Sequence, residues 1–206
     1  MKKSLLFLST ALLLGGCIRY SSKTEKIADA SFKNVKSKIS DIDFSKPVSE
    51  EQLIEIAKTS KIKKVKKIAI NSLTNDASLF NIASFDEDAE VRKIAVNKLS
   101  NQENLFHIAS FDEDASVREL AVKKMDNQAN LFHIASFDEN VEIREIAVGK
   151  MINEANLFHI ASFDESAAVR KIAVGRMTNR ENLTHIATFD SESEIKQLAL
   201  NQIKSN

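Results

Sequence analysis

The feature that most limits what this chain can fold into is a block that returns every 26 residues. Leu79-Phe80-Asn81-Ile82-Ala83-Ser84-Phe85-Asp86 recurs as Leu105 to Asp112, Leu131 to Asp138 and Leu157 to Asp164. A looser copy runs Leu183 to Asp190, and a degenerate one begins Leu53-Ile54-Glu55-Ile56-Ala57. Six copies fill residues 49–206, with no room for another domain there. Self-similarity at such a period marks a stack of small units, each needing neighbours to bury its flanks.

Each unit reads as two short helices. In the third unit the first helix is predicted over about Gln102 to Ser110, where Leu105, Ile108 and Ala109 share one face at helical spacing. Asp112-Glu113-Asp114 then breaks the apolar pattern. The second helix is predicted over about Ala115 to Met125, with Val117, Leu120, Ala121 and Met125 inward. Asn75, Asn101, Asn127, Asn153 and Asn179 stand at the joints, and asparagine suits both a left-handed helix stop and an N-cap. Lys98, Lys124, Lys150 and Arg176 fall in the last turn of the second helix, facing the negative end of its dipole. The expected fold is therefore all-α, a right-handed α-solenoid of six two-helix repeats.

Two phenylalanines per unit offer a test. Phe106 and Phe111 project to opposite sides of the core direction, so both are expected to wedge between units, Phe106 against the following one and Phe111 against the preceding one. The first unit has Thr59 at the Phe111 position and the last has Thr184 at the Phe106 position, as polar outer flanks of a capped stack would require.

The run Asp112-x4-Val117-Arg118-x2-Ala121-Val122-x2-Met125 resembles the Asp, Val-Arg, Ala, Leu signature of HEAT-like repeats. It is most similar to the short type of phycobilisome-lyase-like proteins, with the leucine-rich repeat variant family as a near alternative. The signature recurs in five of the six units; the first departs, with Ser60 and Lys66 where Asp and Arg are expected. The resemblance implies that each loop Asp pairs with the Arg of a nearby unit, a structural ladder for Asp112-type and Arg118-type residues.

The other end of the chain carries a different signal. Met1-Lys2-Lys3, an apolar run from Leu5 to Leu14, and Leu14-Gly15-Gly16-Cys17 together read as a secretory signal, too short to span a bilayer. Its last four residues resemble the bacterial lipobox. The resemblance implies a diacylglycerol on the Cys17 sulfur, cleavage just before it, and a firm membrane anchor. Cys17 is the only cysteine, so no intramolecular disulfide competes for it. The expected organisation is a signal over 1–16, a lipidated tether over 17–48 and the solenoid over 49–206. Ile18 is not the Asp that retains many such lipoproteins in an inner membrane, so a two-membrane cell would carry the chain on its outer membrane. A one-membrane cell would carry it on the outer face.

Within the tether, Ala28, Phe32, Val35 and Ile39 form a helical stripe flanked by Lys26, Lys33, Lys36 and Lys38. A helix capping the first unit, a membrane-surface helix and a flexible tether all fit it. Pro47 followed by Ser49-Glu50-Glu51-Gln52 reads as a stop and a capping box. Charge is uneven: Ile18 to Lys67 holds thirteen Lys/Arg against seven Asp/Glu, the remainder fourteen against twenty-two. The basic end thus adjoins the anchor, and Lys61, Lys63, Lys64, Lys66 and Lys67 either lie against head groups or form a solvated face.

Chemistry-bearing constellations are sparse. His107, His133, His159 and His185 recur at one position pointing away from the core, spaced about 8–10 Å by helix stacking, so two could share an ion only with strained rotamers and a third ligand. The acidic loops lack the alternating ligands and glycine of a calcium loop. Helix capping accounts for them, or a docking edge for a basic partner. No phosphate loop or nucleophile elbow is present, so neither enzyme, metal, cofactor nor nucleic-acid partner is expected. The second-helix outer face differs between units while the His and Phe face barely changes. Lys93 and Asn97, Glu119 and Lys123, Glu145 and Gly149, Lys171 and Gly175 are the candidate positions for a protein or peptide partner. Gly149 and Gly175 stand out because glycine inside a helix costs about 1 kcal/mol against alanine. The alternatives are an architectural envelope lipoprotein without a specific partner, or a bilin-lyase-like enzyme as the family resemblance implies.

Overall fold

The computed structural model describes residues 48–205. The signal, Cys17 and the tether stripe lie outside the described residues. Twelve helices and no strand are present among the described residues. They are α1 (Glu50–Thr59), α2 (Lys63–Ser72), α3 (Asp76–Phe85), α4 (Ala89–Lys98), α5 (Gln102–Phe111), α6 (Ala115–Lys124), α7 (Gln128–Phe137), α8 (Val141–Lys150), α9 (Glu154–Phe163), α10 (Ala167–Arg176), α11 (Arg180–Phe189) and α12 (Ser193–Ser205). Consecutive pairs make six units, and the pairs stack as an α-solenoid. Ten-residue helices joined by three-residue connections account for the 26-residue period.

The connections are extended at every described helix stop, and no described residue has a positive φ. The joint asparagines therefore act as N-caps alone, which corrects the left-handed alternative. Asn101 Oδ1 accepts from the Glu103 and Asn104 backbone N–H groups at 2.9 and 3.0 Å, satisfying two otherwise orphaned donors. Ser49 and Gln52 close the expected capping box before α1, at 2.9 and 3.3 Å.

Each unit contributes the same core. In the third, Leu105, Ile108 and Ala109 of α5 meet Val117, Ala121, Val122 and the C-cap Met125, all buried. The buried arc of α6 is wider and rotated relative to expectation. Leu120 is only half-buried, while Val122 and Arg118 lie inside. The reason is that α6 packs against its own α5 and also against α4 and α8, so its covered side centres on Ala121 and Met125. Second helices of adjacent units pack along their length, whereas first helices meet only sparingly. The stack therefore curls toward the second helices.

That splay overturns half of the phenylalanine expectation. Phe80, Phe106, Phe132 and Phe158 are partly buried against the core and face the following unit. Phe85, Phe111, Phe137, Phe163 and Phe189 are 71–74% exposed. Each closes the last turn of a first helix, where none of the described helices is near enough to cover it. Thr59 thus replaces an exposed ring and does not mark a chain end, while Thr184 does leave the outer flank of the last unit polar.

Candidate functional site

Two ladders of charge fix the units in register before any surface is considered. Arg92 bridges Asp112 with Nε–Oδ2 at 2.8 Å and Nη2–Oδ1 at 2.9 Å. Arg118 to Asp138, Arg144 to Asp164 and Arg170 to Asp190 repeat the fork. Each arginine also donates through Nη1 to the carbonyl of its own unit's loop Asp, as Arg118 does to Asp112 at 3.0 Å. Each loop Asp Oδ1 accepts from the backbone N–H two residues on, as Asp138 does from Asn140 at 2.8 Å. The carboxylate hydrogen bond from the neighbouring unit holds each of these guanidinium pKa values above the ordinary arginine range.

At the first joint the bridge is Lys66 to Asp86, single-pronged at 2.5 Å. Ser60, buried at the Asp position of the first unit, accepts the Ile62 N–H at 3.2 Å. It keeps the turn hydrogen bond without burying a carboxylate for which no arginine precedes it among the described residues.

The second ladder joins helix ends. Lys98 donates to the Asn71 carbonyl at 2.6 Å, Lys150 to Lys123 at 2.6 Å, and Arg176 Nε to Met151 at 2.8 Å. The last-turn cations thus cap the second helix of the preceding unit, where sequence spacing suggested only their own. Burial lowers the Lys124 ammonium, which makes the equivalent bond to Asn97.

With both ladders internal, the concave side consists of second-helix side chains pointing to solvent. Asn97, Lys123, Gly149, Lys171 and Gly175 are exposed, and Lys93, Glu119 and Glu145 are half-buried. Lys93 pairs with Glu90 and Lys123 with Glu119 on their own helices, while Lys171 reaches Glu194 in the next unit. The Glu90 hydrogen bond raises the Lys93 ammonium. Glu142 and Glu145 have no ion partner among the described residues, leaving α8 with uncompensated negative charge beside Gly149. A Cβ built at Gly149 or Gly175 meets nothing within 4 Å, and neither glycine adopts a positive φ. Neither packing nor backbone geometry requires glycine at these two positions.

On the opposite side the histidines do what the helical wheel did not suggest. Each ring is exposed, yet it sits edge-on to the phenylalanine of the preceding unit: Phe80–His107, Phe106–His133, Phe132–His159 and Phe158–His185, centroids 5.2–5.4 Å apart. It also leans on the phenylalanine four residues on in its own helix, as His107 does on Phe111 at 5.1 Å. Such pairs contribute roughly 0.5–1.5 kcal/mol beyond area burial. A signal for them exists within the chain: where a unit has Ile54 in place of phenylalanine, the next has Asn81 in place of histidine. Among the described residues no group of three or more His, Cys, Asp or Glu side chains is placed to hold a metal ion. No described helix is long and apolar enough to cross a membrane.

Comparison of the chain with family models, curated proteins and solved structures returns no match.

Proposed function

We propose that the chain is a membrane-anchored envelope lipoprotein, attached through Cys17, whose solenoid holds a protein or peptide partner on its concave second-helix face. HEAT-like repeats are the family that the Asp, Val-Arg, Ala pattern favours. The observation that carries the reading is the pair Gly149 and Gly175. Both lie on the exposed side of a helix with open space where a side chain would go, so each weakens its helix without relieving any contact. Bare backbone in two adjacent units lets a ligand approach closely, and Glu142 and Glu145 beside it, without an ion partner among the described residues, suit a basic group. Binding would be rigid presentation of a preformed surface, with little ordering to offset.

The test compares proteins crosslinked in intact cells to wild type, to Gly149→Lys/Gly175→Lys and to Gly149→Ala/Gly175→Ala. A partner lost from the lysine variant and kept by the alanine variant supports recognition. The same partners on all three would make the chain a spacer between envelope layers, the second reading. Membrane fractionation with Cys17→Ser tests the anchor separately: the variant is expected in the soluble fraction.

A further inference from the structure

The outer flank of the first unit reverses the charge found at inner joints. There, the residues that face the preceding unit are identified by what they reach: Asp138 and Glu139 go back to Arg118, and Glu194 goes back to Lys171. The equivalent positions of the first unit are Ser60, Lys61 and Lys64. Where the third unit reads Asp112-Glu113-Asp114-Ala115-Ser116, the first reads Ser60-Lys61-Ile62-Lys63-Lys64. Ile56 and Val65 are only half-buried, although Ile108 and Val117 at the same positions are buried. Ile186 and Ile195 of the last unit stay buried too, so the cover that Ile56 and Val65 lack is that of a preceding unit. Among the described residues this flank is open and basic.

Its lysines are available. Lys63 pairs with Asp88 and Lys66 with Asp86, both in the next unit. Lys58, Lys61, Lys64 and Lys67 are exposed and form no ion pair among the described residues. Ser49 to Thr74 holds six lysines against three glutamates, whereas residues 75–206 hold fourteen Lys/Arg against twenty-two Asp/Glu. The stack is thus positive at its first unit and negative along the rest. An anionic surface attracts the first unit and repels the others.

Two observations select the occupant. A second copy that extended the stack would bring Lys196, which stands at the Arg118 position, onto Ser60 and Lys61, with no carboxylate to receive it. The route of the chain supplies the alternative. Val48 leads into α1 of this same unit, and the 30 residues between it and Cys17 span no more than about 110 Å. With Cys17 in a bilayer, the first unit is the part of the stack nearest the lipid along the chain. The last unit lies about 40–50 Å further along the stack. Screening limits charge attraction to about 8 Å at physiological salt, so only lysines that touch the head groups contribute.

We infer that Lys58, Lys61, Lys64 and Lys67 dock the first unit on an anionic lipid surface, a reading that rests on the Cys17 anchor proposed above. The solenoid then stands on its first unit, with its acidic units away from the membrane and its concave face free for the partner.

Fluorescence quenching on the full chain, lipidated and reconstituted in vesicles, tests this. A fluorophore is attached through Thr59→Cys in the first unit or Asn201→Cys in the last, both exposed positions, and the quencher is carried on lipid head groups. Retention on the vesicles reports the anchor, which holds the chain to neutral and anionic bilayers alike. Quenching at position 59 reports the lysines. It is expected to be stronger on equimolar phosphatidylcholine and phosphatidylglycerol than on phosphatidylcholine alone, with weak and equal quenching at position 201. Each lysine replaced by glutamine is expected to lower the ratio of docked to free first unit about fivefold. Lys58→Gln/Lys61→Gln/Lys64→Gln/Lys67→Gln is expected to fall to the level seen on neutral vesicles, and the matching arginine variant to keep the parent level. The four side chains are exposed and unpaired, so thermal melts equal to the parent's are expected of both variants. Equal quenching at position 59 on the two vesicle types overturns the inference, as does unchanged quenching in the glutamine variant. Quenching at position 201 as strong as at position 59 also overturns it, since the stack would then lie flat.

Discussion

Arg118 of the third unit and Asp138 of the fourth form a two-pronged bridge, Nε–Oδ2 3.0 Å and Nη2–Oδ1 3.2 Å, with both side chains under a tenth exposed. The bond joins residues 20 positions apart in sequence and crosses a unit boundary. It therefore sets the register of one unit on the next, a job that apolar contacts, being non-directional, perform poorly.

Removing one partner of that bridge strands the other in the interior. Arg118→Ala or Asp138→Ala is expected to cost about 3–5 kcal/mol in denaturant unfolding. Lys66→Ala is expected to cost less, because its bridge to Asp86 is single-pronged and the lysine is more open to water. Equal losses at the two positions would show that the fork adds nothing to the pair.

The two phenylalanines of a unit separate cleanly in energy. Phe106→Ala removes a ring wedged against the core and the His133 ring, with an expected loss of about 2–3 kcal/mol. Phe111→Ser removes a largely exposed ring whose aromatic contact is His107, and is expected to cost no more than about 1 kcal/mol. Thermal melts of the two variants check the difference.

Glycine in α8 and α10 costs helix stability with no structural return. Gly149→Ala and Gly175→Ala are each expected to stabilise by about 0.4–1 kcal/mol, since the new methyl meets open space and the helical backbone suits alanine. A fall in the unfolding midpoint would mean that the glycines relieve a strain not apparent in the backbone angles.

Acid should loosen the last joint. Burial works to raise the Asp190 carboxyl, but the Arg170 bridge, the Glu192 N–H and the arginine charge more than offset it, leaving it below its ordinary 3.8. Backbone N–H groups of Asn75 and Thr74 likewise lower Glu50 from 4.5. A carboxyl depressed in the folded state contributes stability that is complete above its unfolded value and is lost as pH falls through the folded one. The stability attributable to Asp190 should thus be intact at neutral pH and drain away below 3.8. Asp190→Asn should flatten the part of the unfolding-midpoint curve between about pH 4 and pH 2.

The repeat period, the two-helix unit and most core positions were legible in the sequence, while each helix boundary in the third unit fell within a residue of the expected one. They depend on local chemistry: Leu105, Ile108 and Ala109 at helical spacing, and an Asn or Asp with a free side-chain oxygen where a helix must start. The solvent-facing side of the second helices was legible too, because exposed positions are those left over once the core is assigned.

Three things waited for the tertiary structure. That Phe111 is bare while Phe106 is wedged follows from the unequal spacing of first and second helices, which no single helical wheel contains. The reach of Lys98 and Lys150 to the preceding unit follows from how closely second helices stack. The His107 ring resting on Phe80 joins residues 27 positions apart. Sequence determined what each unit is, through hydrogen bonds and burial within a few residues. Curvature, which sums small rotations between units, decided which of its faces meet a neighbour and which meet water.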